Sequence, residues 1–344
     1  MNRIETEDLH NILKDTAVDW RAFSGKSVVV TGATGLIGSA LVRTLLFCSS
    51  AKVIAAVRSC ERAETMFADP LASGCALEII PWTTEDPLSV SGPVDYIFHC
   101  ASQTSSSGFI QTPVETIRTA YMGAEHVLQA AKENGACRVI FLSTMEIYGT
   151  PQDDEKITES YVGRIDPLTV RNCYPESKRL CENLCVSYAR EYGISTSIAR
   201  LTQTFGPGVS PSDGRVFAEF ARCVLEGKDI VLHTKGETKR NYLYTADAVL
   251  ALLVIAQKGK NGEAYNVANE ATYCTILEMA ELVAEKLGNG RVTVRIELGK
   301  DAAAFGYAPV LHMNLDTTKL RALGWTPRVG LLEMYRRMIS AFSD

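Results

Sequence analysis

The stretch "SVVVTGATGLIG" (Ser27–Gly38) decides how the rest of the chain is read. "SVVVT" is a short β-branched run of the kind that forms a buried strand. Gly32, Gly35 and Gly38 follow it at GxxGxxG spacing, and "GLIGSALVRTLLFC" continues with helical periodicity. Glycines at such a turn let the backbone approach a pyrophosphate, and the N-terminus of the next helix favours its charge. A glycine triplet alone marks a tight turn. Set between a strand and a helix in the first βαβ unit, it predicts a dinucleotide site.

Reading outward, further strands are expected at 52–57, 76–81, 94–102, 138–144 and 195–201, the first of these being "KVIAAV" and the last "STSIARL". Helices are expected at 113–135, with Pro113 near the start and Gly135 past the end, and at 175–193. This alternation predicts an α/β protein built on a doubly wound parallel sheet. Ligands of such sheets bind beyond the carboxyl ends of the strands. After residue 204 the loop "FGPGVSPSDG" breaks the pattern, and shorter mixed segments follow. They read as a smaller C-terminal substrate lobe, formed by 204–238 and 271–344. The main domain is 27–203, with 239–270 returning to it through a helix at 244–257. Residues 1–26 read as a helical N-terminal extension ending at Gly25.

A chain of 344 residues exceeds one small core, in keeping with a large domain plus a lobe. With 46% apolar and 22% charged residues it has the balance of a soluble globular protein. Lys plus Arg number 35 against 40 Asp plus Glu, and a net charge of -5 argues against a nucleic-acid partner. No apolar run approaches the roughly 20 residues that span a bilayer, so no membrane association is expected. "MNRIETEDLHNILKDTAVDW" is charged throughout and lacks the apolar run of a signal peptide. The ten cysteines are scattered, and Cys181 and Cys185 form an i,i+4 pair rather than CxxC. Reduced thiols, a cytoplasmic location and no metal site are expected.

The end of the second strand bears on the cofactor. An acidic residue there binds the ribose hydroxyls of NAD, whereas an Arg accepts the 2′-phosphate of NADP. The sequence has Val57, Arg58, Ser59. NAD and NADP both stay open, with a lean to NADP. "YPESK" sets Tyr174 and Lys178 four apart, on one helical face. A phenol with its ordinary pKa near 10 is a poor base, and a neighbouring ammonium favours the phenolate. Thr144, at the tip of the fifth strand, is placed to donate a hydrogen bond to the same substrate oxygen.

With "HCAS", "STMEIYG", "ARLTQTFGPG" and "RNYLYTADAV", these motifs resemble the extended short-chain dehydrogenase/reductases, in particular the NAD-dependent epimerase/dehydratase family that modifies nucleotide sugars. The resemblance runs from about Ser27 to the C-terminus. Within 161–249 it is similar to the UDP-glucuronate decarboxylase branch. It implies a Rossmann sheet, a nicotinamide cofactor that oxidises C4 of a nucleotide-diphosphate sugar, and a homodimer built on helices 113–134 and 175–192. Tyr121, Val127, Leu184 and Tyr188 are the apolar residues expected beyond the core-facing stripes of those helices. By position, Gly32, Thr34, Gly35, Leu36, Ile37, Gly38, Arg58, Ala101 and Ser102 would hold the cofactor together with Tyr174 and Lys178. Thr144, Tyr174 and Lys178 would form the catalytic triad. Gln203, Arg215 and Arg240 would contact the sugar nucleotide.

The chain departs from the pattern at Met145. Relatives like the dTDP-glucose 4,6-dehydratases have Asp-Glu after the Thr, and the Asp protonates the leaving hydroxyl, whereas the GDP-mannose dehydratases have Ser-Glu. Decarboxylases have Ser-Glu and an Arg before "LGW.P", where alignment places His312. Met145 has no proton to give, and Met fills irregular space beside a sugar. A 4-epimerase asks for no acid there, so epimerisation is the leading expectation. Glu146 is then either a structural partner or a base for a C5 proton. Decarboxylation or 4,6-dehydration, NADPH-dependent reduction of a keto sugar, and a non-catalytic dinucleotide sensor are the alternatives.

Overall fold

The computed structural model describes residues 1–298 and 310–343. Residues 299–309 of the expected lobe lie outside them. The strands are β1 (Ser27–Thr31), β2 (Lys52–Val57), β3 (Leu77–Pro81), β4 (Tyr96–His99), β5 (Arg138–Thr144), β6 (Thr196–Leu201), β7 (Gln203–Phe205), β8 (Ile230–Leu232), β9 (Lys239–Tyr244), β10 (Glu263–Val267), β11 (Asn269–Thr275), β12 (Val294–Ile296) and β13 (His312–Met313). The helices are α1 (Arg3–Leu13), α2 (Leu36–Cys48), α3 (Cys60–Met66), α4 (Ala68–Ala72), α5 (Ser106–Gln111), α6 (Pro113–Glu133), α7 (Cys173–Tyr192), α8 (Val216–Glu226), α9 (Thr245–Lys258), α10 (Ile276–Leu287), α11 (Thr318–Arg321) and α12 (Leu331–Ser343).

Seven strands form one parallel sheet in the order β10-β6-β5-β4-β1-β2-β3. It is the expected doubly wound Rossmann sheet. Consecutive residues of its strands go to opposite faces. Val28 and Val30 enter the core shared with α2 and α9, while Val29 enters the one shared with α6 and α7. That is why the central strands read as unbroken apolar runs. The chain reverses direction across the sheet between β1 and β4, and a crevice opens there.

The fourth strand is shorter than the expected 94–102. After His99 the chain bends over the end of β1, where Cys100 N donates to Thr31 O and Ala101 N to Thr31 Oγ1, each at 3.3 Å. The seventh strand, β10, has no counterpart among the expected ones. β9 belongs to a second sheet, with β11, β13 and β7, so the chain re-enters the main layer only at α9 and β10. The second sheet, the β8/β12 pair and helices α8, α10 and α12 form the mixed lobe around Phe205, Phe217, Tyr242 and Tyr335. Val127 and Tyr188, expected beyond the core-facing stripes, are buried in the α6/α7 core, and the Tyr188 hydroxyl donates to Glu125 at 2.7 Å. Leu184 packs against the same core, and Tyr121 is exposed. Among the described residues, no helix is long and apolar enough to cross a membrane.

Candidate active site

The crevice is floored by the turn after β1. Gly32 has φ +63, a region that favours glycine, and a Cβ on it would lie 2.7 Å from Ala101 N. A Cβ on Gly38 would lie 2.3 Å from Gly32 O, so α2 packs tightly on the turn. Gly35 is the N-cap of α2 and supplies no side-chain cap, which leaves first-turn N–H groups of the helix facing the crevice. Gly32, Gly35, Leu36, Ile37 and Gly38 line it, as does Ser102. Thr34 lies in the same turn, half-buried, and Ala101 abuts Gly32. Orphan N–H donors at a helix start, with glycine where a side chain would clash, suit the pyrophosphate of a dinucleotide. Arg58 stands exposed after β2, outside the crevice lining.

Across the crevice, the tip of β5 and the start of α7 bring together Thr144, Met145, Glu146, Tyr174 and Lys178. Lys178 is buried, and its Nζ donates to Leu142 O at 2.8 Å. Burial pushes its pKa down. Tyr174 is buried too, and burial raises its phenol well above the ordinary range, with Glu146 adding to the rise and the Thr144 and Ser102 hydroxyls opposing it. Phe109 of α5 stacks on the Tyr174 ring at 4.3 Å between centroids and 8° between planes. One face of the Tyr174 ring is thereby covered.

Glu146 is not a free carboxylate. Arg171 NH1 donates to Glu146 Oε2 at 2.5 Å, and the Arg171 guanidinium lies 5.6 Å from the centre of the Phe109 ring. Met145 is buried with Tyr148, Leu311, Met313 and Leu315. Its sulfur lies 3.3 Å from the Thr202 hydroxyl, whose proton is taken by Asn241 O at 2.5 Å. Gln203 lines the crevice with a buried Oε1 that has no hydrogen-bond partner. Arg215 also lines it, paired to Asp213 at 2.6 Å. Arg240 does not line it. It pairs in register with Met313, which packs with Met145, and its Nε is buried without a partner. His312 is outside the lining as well, and its Nδ1 lies 3.1 Å from Asp154 Oδ1.

The sequence reading missed Arg171, Phe109, Thr104 and Ser106, the last three of which line the crevice. Arg171 stood in plain sight three residues before Tyr174, but only the fold brings it to Glu146.

A nicotinamide-dinucleotide crevice facing a Tyr-xxx-Lys pair and a strand-tip Thr defines an oxidoreductase-type site of the short-chain class. The sequence profile of the NAD dependent epimerase/dehydratase family matches residues 28–268, and the chain belongs to that family. It is an enzyme, which removes the dinucleotide-sensor alternative, and its cofactor is a nicotinamide dinucleotide. UDP-glucuronic acid decarboxylase 6 of Arabidopsis thaliana is 33% identical over 315 residues, 90% of this chain and 87% of that protein. The UDP-glucose 4-epimerase of Thermotoga maritima, solved with UDP-glucose, superposes with a TM-score of 0.77 at 24% identity, covering 92% of this chain and 98% of that one. The dTDP-glucose 4,6-dehydratase of Streptomyces venezuelae, solved with NAD, gives 0.76 at 25% identity, covering 92% and 97%.

Proposed function

We propose that the protein is a nucleotide-sugar 4-epimerase, acting on a nucleotide-diphosphate sugar held between the crevice and the lobe. The bound nicotinamide supplies hydride acceptance from sugar C4 and hydride return. Tyr174 takes the proton of the C4 hydroxyl, and the nearby Lys178 ammonium favours its phenolate. Thr144 hydrogen-bonds the same oxygen. Gln203 offers its unpartnered oxygen to the sugar nucleotide, and Arg215 meets its diphosphate.

The observation that carries the reading is the pair of residues after Thr144. Met145 has no proton, and Glu146 is engaged by Arg171, whose NH1 donates to its Oε2. Neither is suited to protonate a leaving hydroxyl, so the site holds redox machinery without an elimination acid. Rotation of a keto sugar before a flexible thioether wall needs nothing more.

Decarboxylation is the second reading. Its support is the 33% identity with a UDP-glucuronic acid decarboxylase and the retained Glu146. Against it stands His312, which faces Asp154 instead of the crevice. The test is incubation of purified protein with UDP-, GDP-, CDP- and dTDP-sugars, with products read by NMR and no cofactor added. A 4-epimer supports the first reading and loss of CO₂ the second. Efficient release of water, or turnover only with NADPH, overturns both.

Arg58 favours NADP over NAD, through the 2′-phosphate. The exposed apolar stripe of Val114, Ile117 and Tyr121 on α6, with Leu180 on α7, fits the isologous contact of a homodimer. We place the protein in the cytoplasm, where its unpaired cysteines stay reduced.

A further inference from the structure

We propose that Glu182 is a positioning residue for the catalytic pair: it fixes the tip of β5 and keeps Lys178 protonated. The proposal rests on Tyr174 and Lys178 acting as the acid–base pair. Glu182 lies one helical turn beyond Lys178 on α7, and both are buried. Their side chains grip consecutive residues of β5. Lys178 Nζ donates to Leu142 O at 2.8 Å, and Ser143 Oγ donates to Glu182 Oε1 at 2.5 Å. The next residue, Thr144, opens into the crevice. Arg200 of β6 holds the other side of the carboxylate, with NH2 at 2.7 Å from Oε2 and Nε at 3.1 Å from Oε1. Arg200 NH1 also donates to Tyr148 Oη at 2.9 Å, and that hydroxyl donates to Asn266 Oδ1 at 2.7 Å. One carboxylate thus joins the catalytic helix to two strands of the sheet.

The same carboxylate has an electrostatic task. The groups that face Lys178 are His99 at the end of β4 and Cys100 just after it, Tyr174, Cys181 and Cys185 from its own helix, and Arg200 beyond Glu182. Burial pushes His99 down to about 3, so it is neutral. Burial pushes Cys100 up to about 12, Cys181 up to about 11 and Cys185 higher still, so all three are thiols. The Tyr174 phenol is raised as well. Arg200 adds a positive charge. Among the described groups facing Lys178, Glu182 is therefore the one anion, and it offsets the burial that pulls the ammonium toward the neutral amine. A neutral Lys178 would no longer favour the phenolate of Tyr174.

The test follows the titration of Lys178 by NMR of protein carrying ¹⁵Nζ-labelled lysine, with the signal assigned through Lys178→Met. It needs no substrate, so failure of the epimerase reading leaves it intact. Glu182→Gln alone strands a buried guanidinium and risks the fold. The paired Glu182→Gln/Arg200→Met variant avoids this, and loss of Arg200 by itself would raise the Lys178 midpoint. Ser143→Ala cuts the grip on β5 and leaves the charges. We expect the Lys178 midpoint to fall by about one unit in Glu182→Gln, to fall by less in the paired variant, where loss of Arg200, which lies beyond Glu182, offsets part of the change, and to stay in place in Ser143→Ala. The alkaline limb of kcat/KM for the sugar nucleotide turned over, set by loss of the Lys178 proton, should fall in the Glu182 variants. A Lys178 midpoint equal to wild type in the paired variant overturns the proposal.

Discussion

Met145→Ala separates packing from chemistry at the residue on which the epimerase reading turns. Met145 is 4% exposed and packs against Tyr148, Leu311, Met313 and Leu315. Truncating a buried Met to Ala costs about 2–5 kcal/mol. Two features of the site set the cost within that range. The Thr202 hydroxyl keeps its hydrogen bond to Asn241 O at 2.5 Å, so no polar group is stranded by loss of the sulfur. Met145 also lines the crevice, so the space left behind opens toward solvent instead of forming a closed void. The lower half of the range, about 2–3 kcal/mol, is expected from urea unfolding. With no proton moving through residue 145, kcat should stay within about tenfold of wild type. A kcat reduced by more than about a hundredfold, with cofactor affinity intact, would place residue 145 in the chemistry and refute the reasoning.

Tyr174→Phe should keep the fold and cofactor binding while losing about a hundredfold or more in turnover, measured under saturating substrate; near-wild-type turnover would end the acid–base assignment. Arg58→Ala should weaken NADP by about ten- to a hundredfold in titration calorimetry and leave NAD nearly unchanged, whereas equal weakening would show that Arg58 merely packs on the adenine. Sedimentation should give twice the chain mass at micromolar concentration, and Tyr121→Asp/Leu180→Asp should give the single-chain mass; a wild-type monomer would contradict the dimer. Burial raises Asp8 and Asp247 to about 6, above their unfolded values near 3.8, so the folded state binds these protons more tightly and their contribution to stability is lost as pH rises from about 4 through 6. Asp8→Asn should accordingly be more stable relative to wild type at pH 8 than at pH 4, and a pH-independent difference between the two would show that Asp8 titrates normally.

The Rossmann half was legible because its signals are local and repeat. β-Branched runs such as Val28–Val30 are apolar on both faces, because each face of a parallel sheet is covered by helices. The glycine spacing is dictated by contacts within a few residues, as the Gly38–Gly32 approach shows. Tyr174 and Lys178 were legible for the same reason, since four residues on a helix fix one face. What stayed hidden depends on pairs far apart in sequence. "EAYNV" alternates too weakly to announce β10, which is a strand only because the edge of β6 is open to it. Val127 and Tyr188 read as surplus apolar surface, yet the close packing of α6 on α7 takes both inside. Arg171 and Glu146 are 25 residues apart, and no spacing rule links a turn before a helix to a turn after a strand. That pair matters most for the reaction, because a lone glutamate at a strand tip is equally an acid, a base or a spectator. The guanidinium at 2.5 Å shows what that glutamate is engaged with, which no sequence pattern does. The silence of Met145 therefore carries information about the reaction only in combination with Arg171.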